Sequence, residues 1–218
     1  ETWDLAGSPH RFPDGMEIHA GATVTVEACA LVLVGQGDHW IAVQSGGALV
    51  ADGQDGKPVA FDAVKEAGPT QPGAWDGIYV QDGAATTTHF HHVTIAHAGR
   101  QIGHWMSSSL HAEGNATLDV QDVKVDQSML TGVALEGAAK FAAGSAGLVI
   151  THSGVPDPYS PVVAIRIRCE TASGRLCALH AACPDRSLRI EADAATAIYL
   201  IACVSPDRLT RQKSAAIG

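Results

Sequence analysis

Histidine dominates the chemistry open to this chain: six of its 11 histidines lie between His89 and His111. In the run His89-Phe90-His91-His92-Val93, the apolar Phe90, Val93 and Ile95 read as one inward face. His89 and His91 then share the outer face of a strand, about 7 Å apart. Two imidazoles at i and i+2 make half of a site for Zn²⁺, Ni²⁺ or Cu²⁺. A complete site needs a third ligand from the next coil of chain, and spacing alone does not identify it. The alternative is an ordinary polar outer face on a Thr-rich strand.

Carboxylates follow. Asp119, Asp122 and Asp126 lie close together, and Asp122 aligns with His92 of the preceding repeat. An Asp over a His can serve acid–base chemistry or simply form a structural pair. Lys124, flanked by Asp122 and Asp126, is the best local base, and it reads equally as a solvated ion pair. Trp105, in Gly103-His104-Trp105-Met106-Ser107, has no apolar partner pattern and reads as exposed. The irregular stretches 64–74 and 100–108 supply Lys65, Glu66, Arg100, His104 and Trp105. Of these, Lys65, Arg100, His104 and Trp105 form the candidate ligand-binding set. No nucleophile elbow, phosphate-cradling Gly loop, metalloprotease helix or Cys-x-x-Cys appears, so no catalytic residue and no cofactor is assigned.

The elements that would carry these groups are short strands. A pattern recurs as Val93-Thr94-Ile95-Ala96-His97-Ala98-Gly99, as Val123-Lys124-Val125-Asp126-Gln127-Ser128, and as Leu148-Val149-Ile150-Thr151-His152-Ser153-Gly154. An earlier relative is Val59-Ala60-Phe61-Asp62-Ala63. Spacings of 34, 30 and 25 residues separate the four copies. One such strand cannot bury its apolar face alone, but coils stacked at about 4.8 Å would set Phe61, Ile95, Val125 and Ile150 in one internal row. His97 and His152 align within the pattern, with Gln127 between them, as a polar ladder at a turn. Further Val/Thr/Ile-rich runs bounded by Gly, Asp or Pro give two or three strands per coil. Several Asp-Gly pairs also fit hairpins, which keeps a β-sandwich in view. The recurrence at 25–34 residues favours the solenoid.

Composition agrees with an all-β chain: 218 residues, 46 % hydrophobic, few aromatics and 23 glycines. The net charge of −9 argues against a nucleic-acid partner. It divides unevenly, with −12 over residues 1–160 (6 Lys/Arg, 18 Asp/Glu) and +3 over residues 161–218 (8 Lys/Arg, 5 Asp/Glu). No apolar run has the length of a membrane span. A chain opening on Glu1 fits processing and export. Cys169, Cys177, Cys183 and Cys203 allow two disulfides in three pairings, leaving Cys29 free, or they act as small buried hydrophobes.

Three phrases carry a family resemblance. Gly47-Ala48-Leu49-Val50-Ala51-Asp52-Gly53 with Lys57-Pro58-Val59-Ala60-Phe61 is one; Gly73-Ala74-Trp75-Asp76-Gly77-Ile78 is the second; residues 93–99 are the third. In this order they resemble bacterial extracellular right-handed parallel β-helix repeat proteins, over about residues 15–160. The resemblance implies the fold and an exported location, with Trp75 packed at a corner. Asp76 departs from it, standing where a second small residue is expected, and Cys29 stands where Gly is expected. Asn115 is the only Asn, so the Asn ladders of many pectate-lyase-like coils cannot form. Lyases and epimerases on this fold use clustered acids for Ca²⁺ with an Arg or Lys base, and residues 61–160 offer only Lys65, Arg100, Lys124 and Lys140.

The expectation is therefore an all-β, right-handed parallel β-helix (solenoid) of roughly six or seven coils with capped ends. Residues 1–20 form an N-terminal cap, 21–204 the helix, and 205–218 a basic tail serving as cap or interaction arm. The function expected is a non-catalytic extracellular or cell-surface module, structural or adhesive. Glycan, other surface proteins or further copies of itself are its partners, and a polysaccharide-active enzyme is the alternative.

Overall fold

The computed structural model describes residues 1–65, 69–100 and 108–153, and beyond these the backbone of four strands at residues 165–170, 176–181, 187–193 and 198–204. Alternation of apolar and polar residues builds the main strands of the first two columns. In Thr23-Val24-Thr25-Val26-Glu27 the two valines are buried while Thr23 and Glu27 face solvent, as the two-residue period of a pleated strand requires. A strand with one apolar face needs neighbours on both sides and a cover. The chain supplies them by returning to the same three sheet columns again and again.

The first rung holds β1 (Thr2–Trp3), β2 (His10–Phe12) and β3 (Met16–Ile18), and the second β4 (Thr23–Glu27), β5 (Leu31–Val34) and β6 (Trp40–Val43). The third holds β7 (Ala48–Asp52), β8 (Val59–Ala63) and β9 (Gly77–Val80). In the fourth and fifth, the first two strands fuse into one long strand: β10 (His89–Ala96) with β11 (Ser108–Ala112), then β12 (Thr117–Asp126) with β13 (Thr131–Gly137). The sixth holds β14 (Lys140–Phe141), β15 (Leu148–Thr151) and β16 (Ile165–Glu170). Every pairing between successive rungs is parallel.

Phe61 pairs with Ile95, Ile95 with Val125, and Val125 with Ile150. All four are at most 1 % exposed, so the internal row expected from the repeat is present. Residues 1–20 carry the first strand of each column. Parallel pairing ends at β16: β17 (Leu176–Ala181) runs antiparallel to it, and β18 (Ser187–Asp193) and β19 (Ile198–Val204) continue antiparallel from β15. The parallel winding expected through residue 204 thus gives way to antiparallel strands. Among the described residues no helix is long and apolar enough to cross a membrane.

Two corners are made by left-handed residues other than glycine. Between the first and second columns the chain turns at Cys29 (φ 67°), His92 (φ 48°) and Asp122 (φ 52°). Beyond the second column it turns at His97 (φ 56°), Gln127 (φ 54°) and His152 (φ 47°). This conformation is uncommon for a residue with a Cβ. Several of these corner residues are bonded to the rung beside them: His97 N–H donates to the Asp126 carbonyl, Gln127 N–H to the Thr151 carbonyl and Asp122 N–H to the Ala146 carbonyl. Gly77, at the start of β9, shows the opposite need. A Cβ there would lie 2.6 Å from the Ser108 carbonyl oxygen.

Candidate metal centre and its surroundings

The first column presents its outward positions in rows. Register places Thr25, Val50, His89 and Asp119 side by side, and next to them Glu27, Asp52, His91 and Gln121. Phe90 between the two histidines is fully buried, so both imidazoles do lie on the outer face. They are not spread at strand spacing, however. The rings stack with centroids 4.3 Å apart and planes 26° from parallel, because flat rings on one face gain contact by leaning together.

Each ring has a fixed partner. His89 Nδ1 lies 3.0 Å from the Thr87 carbonyl oxygen. His91 sits between two carboxylates, Nδ1 4.0 Å from Asp52 Oδ1 and Nε2 3.4 Å from Asp119 Oδ1. The last two atoms are buried and off the line a hydrogen bond needs, so neither has a hydrogen-bond partner. One donor atom from each of Asp52, His89 and His91 falls within 4.8 Å of the other two. The third group is thus a carboxylate from the preceding rung, where a residue of the next coil was expected. The next coil supplies Asp119 instead, on the far side of His91.

The second corner carries the polar ladder. His97 Nδ1 bonds Asp62 Oδ1 at 2.8 Å, and two rungs further on His152 Nδ1 bonds Asp126 Oδ1 at 2.8 Å. Thr151 Oγ1 donates to Asp126 at 2.7 Å and Lys124 Nζ at 3.0 Å. Burial raises the Asp126 carboxyl, but the bonds from His152, Thr151 and Lys124, with the Lys124 charge, outweigh it and hold it below its ordinary value. Lys124 is therefore the ion-paired residue of its strand. His92 Nδ1 and Asp122 Oδ2 lie 3.7 Å apart on an exposed corner.

The expected ligand-binding set is only partly described. Lys65 is exposed, and Arg100 Nε pairs with Asp38 Oδ1 at 3.0 Å. His104, Trp105 and Glu66 lie outside the described residues. The stretches that hold them both join the second column to the third, in adjacent rungs. Trp75 is buried and donates from Nε1 to the Ala96 carbonyl at 2.8 Å, as expected of a corner residue. Backbone register sets Cys169 opposite Cys177 and Cys203 opposite Leu188; the cysteine side chains, and Cys183 entirely, lie outside the described residues.

Two features escaped the sequence. Asp76 is fully buried with neither carboxylate oxygen hydrogen-bonded. Burial first, and then the Asp38 charge, push its carboxyl up to about 7 against the opposing pull of Arg100. On the third column Tyr79 meets His111 edge-on at 5.0 Å, with Ser108 Oγ 3.4 Å from His111 Nδ1 and Glu136 Oε2 3.9 Å from Nε2. Burial lowers His111, against the pull of Glu136 and Glu113. Serine, imidazole and carboxylate stand in the order of an acyl-transfer site, but Ser108 is 1 % exposed. A nucleophile must reach its substrate, so Ser108 and His111 read as a buried polar pair, with Glu136 at its exposed edge. Alternation along Ser108–Ala112 would have flagged His111 as outward and missed its burial.

Comparison with protein families, with curated proteins and with solved structures finds no match to this chain.

Proposed function

We propose that the three columns wind as a right-handed parallel β-helix and that the protein is a non-catalytic extracellular or cell-surface module, working by presenting a rigid outer face. Right-handedness is the rule for parallel strands joined by crossovers. The observation that carries the functional reading is the state of the two bases best placed for proton abstraction. Lys124 is held at 3.0 Å by Asp126, and Arg100 at 3.0 Å by Asp38. A lyase needs such a base free beside its substrate; here both are ion-paired, Lys124 within its own strand and Arg100 to a separate segment.

Recognition then falls to the irregular corner between the second and third columns, where Lys65 and Arg100 lie. Binding residues concentrate on loops held by a rigid scaffold, and glycan or another surface protein is the partner class. The test is to incubate the protein with pectin, alginate, chondroitin and peptidoglycan, with and without Ca²⁺, and to follow unsaturated products and reducing ends. A glycan array and light scattering are run on the same sample. Binding or self-association without turnover is the expected result. Turnover abolished by Lys124→Ala would replace this reading with a polysaccharide-active enzyme.

A further inference from the structure

We propose that Asp52, His89 and His91 bind a divalent transition-metal ion, with the Thr87 carbonyl and Asp119 acting as positioning groups for the two imidazoles. This site stands apart from the surface-module reading and survives its failure.

Convergence is the first observation: one donor atom from each of the three side chains lies within 4.8 Å of the others. Tautomers are the second. A carbonyl oxygen only accepts, so His89 Nδ1, 3.0 Å from Thr87 O, carries the proton of that bond. Its Nε2 is left with a free lone pair. An ionised carboxylate likewise only accepts, so bringing His91 Nε2, now 3.4 Å from Asp119 Oδ1, into a hydrogen bond requires the proton on Nε2. Its Nδ1, on the Asp52 side, is the one left to coordinate. Metal-bound histidines almost always donate their other N–H to a carbonyl or carboxylate in this way. Here both outer partners stand in place.

Fit to the ion follows. Zinc bonds of 2.0–2.2 Å put tetrahedral donors about 3.3 Å apart, so the three groups need to close by up to about 1.5 Å. The Asp52 side chain is 63 % exposed and free to swing. Closing the loose His91–Asp119 contact would also give two buried, unpartnered atoms the hydrogen bond they lack. Two nitrogens and one carboxylate suit Zn²⁺, Ni²⁺ or Cu²⁺, whereas Ca²⁺ takes six to eight oxygens. A bound ion would tie β7 to β10 directly, and through Asp119 to β12.

Calorimetric titration of the full chain with Zn²⁺, and separately with Ca²⁺, tests this. The expected result is one Zn²⁺ per chain and no Ca²⁺ uptake. Asp52→Asn, His89→Ala and His91→Ala should each weaken Zn²⁺ binding at least tenfold, and Asp119→Asn should weaken it with the stoichiometry kept. Ring-nitrogen NMR of the zinc-bound protein should show coordination through Nε2 of His89 and Nδ1 of His91, a signature no purely structural role produces. Unchanged zinc affinity in the folded His89→Ala, His91→Ala double variant overturns the proposal. If that variant does not fold, the ring-nitrogen spectrum of the parent decides: zinc shifts at both histidines support the site, and none overturns it.

Discussion

His97 reaches back one rung to Asp62, its Nδ1 2.8 Å from the carboxylate, and His152 repeats this bond to Asp126 at the same distance. The device stands in the fourth and sixth rungs, with Gln127 on the rung between. A left-handed corner residue is costly without support, and the diagonal bond supplies it. Asp126→Ala should lower stability by about 1–2 kcal/mol, chiefly through the stranded Thr151 hydroxyl. Because the Asp126 carboxyl titrates below its unfolded value, its contribution is full above the unfolded value and is lost as pH falls through the folded one. Urea titrations should therefore show parent and variant converging in acid; a gap that widens as pH falls would contradict the assignment.

Ile95 lies mid-row between Phe61 and Val125 with no solvent contact. Ile95→Asp should cost about 4 kcal/mol or more, since a carboxylate would be buried without a partner. Ile95→Val should cost only about 1 kcal/mol. Equal unfolding midpoints for the two variants would argue against a continuous internal row.

Asp76 works the other way round. Its folded value of about 7 lies above the ordinary 3.8. Between these limits the folded chain holds a proton that the unfolded chain has released, so stability falls as pH rises from about 4 to 7 and then levels off. Asp76→Ala should remove that decline and be more stable than the parent at pH 8, by about 2 kcal/mol. Denaturant melts at pH 5 and pH 8 read this directly; identical pH slopes in both proteins would refute it.

At Cys29 the left-handed φ of 67° favours the residue the sequence pattern leads one to expect there, glycine. Cys29→Gly should be tolerated within about 1 kcal/mol, while Cys29→Val, β-branched in a left-handed corner, should cost about 2 kcal/mol. Thermal melts of the pair should separate; a valine variant as stable as the glycine one would show that the corner relaxes.

Legibility followed physical range. The row Phe61, Ile95, Val125 and Ile150 could be read in advance because alternation within a strand and recurrence between strands depend on local pattern alone. Cys29 stood out only against the family resemblance, which expects glycine there, and its φ of 67° supplies the physical reason. Asp52 was not readable as a partner of His91. Their alignment depends on how many residues the corner after Asp52 consumes, and no rule for that is local. Asp76 was noticed as a departure from the small residue expected, but its burial comes from packing between rungs: its N–H bonds the His39 carbonyl and its carbonyl accepts from Gly99. The change to antiparallel pairing at β17 is accompanied in the sequence only by the shift in charge and cysteine content after residue 160, since Val, Ile and Leu serve either direction.

The three corners differ in how much chain they consume. In the fourth and fifth rungs the corner between the first and second columns is a single residue inside a continuous strand, His92 or Asp122. The corner between the second and third columns takes 3 residues in the first rung, 13 in the third and 11 in the fourth. Added length at such a place costs little, because loop-closure entropy grows only with the logarithm of length. Inserted peptides, tags or epitopes should therefore be accepted most readily at this vertex. Relatives that diverge in what they recognise would accumulate their longest insertions along that edge.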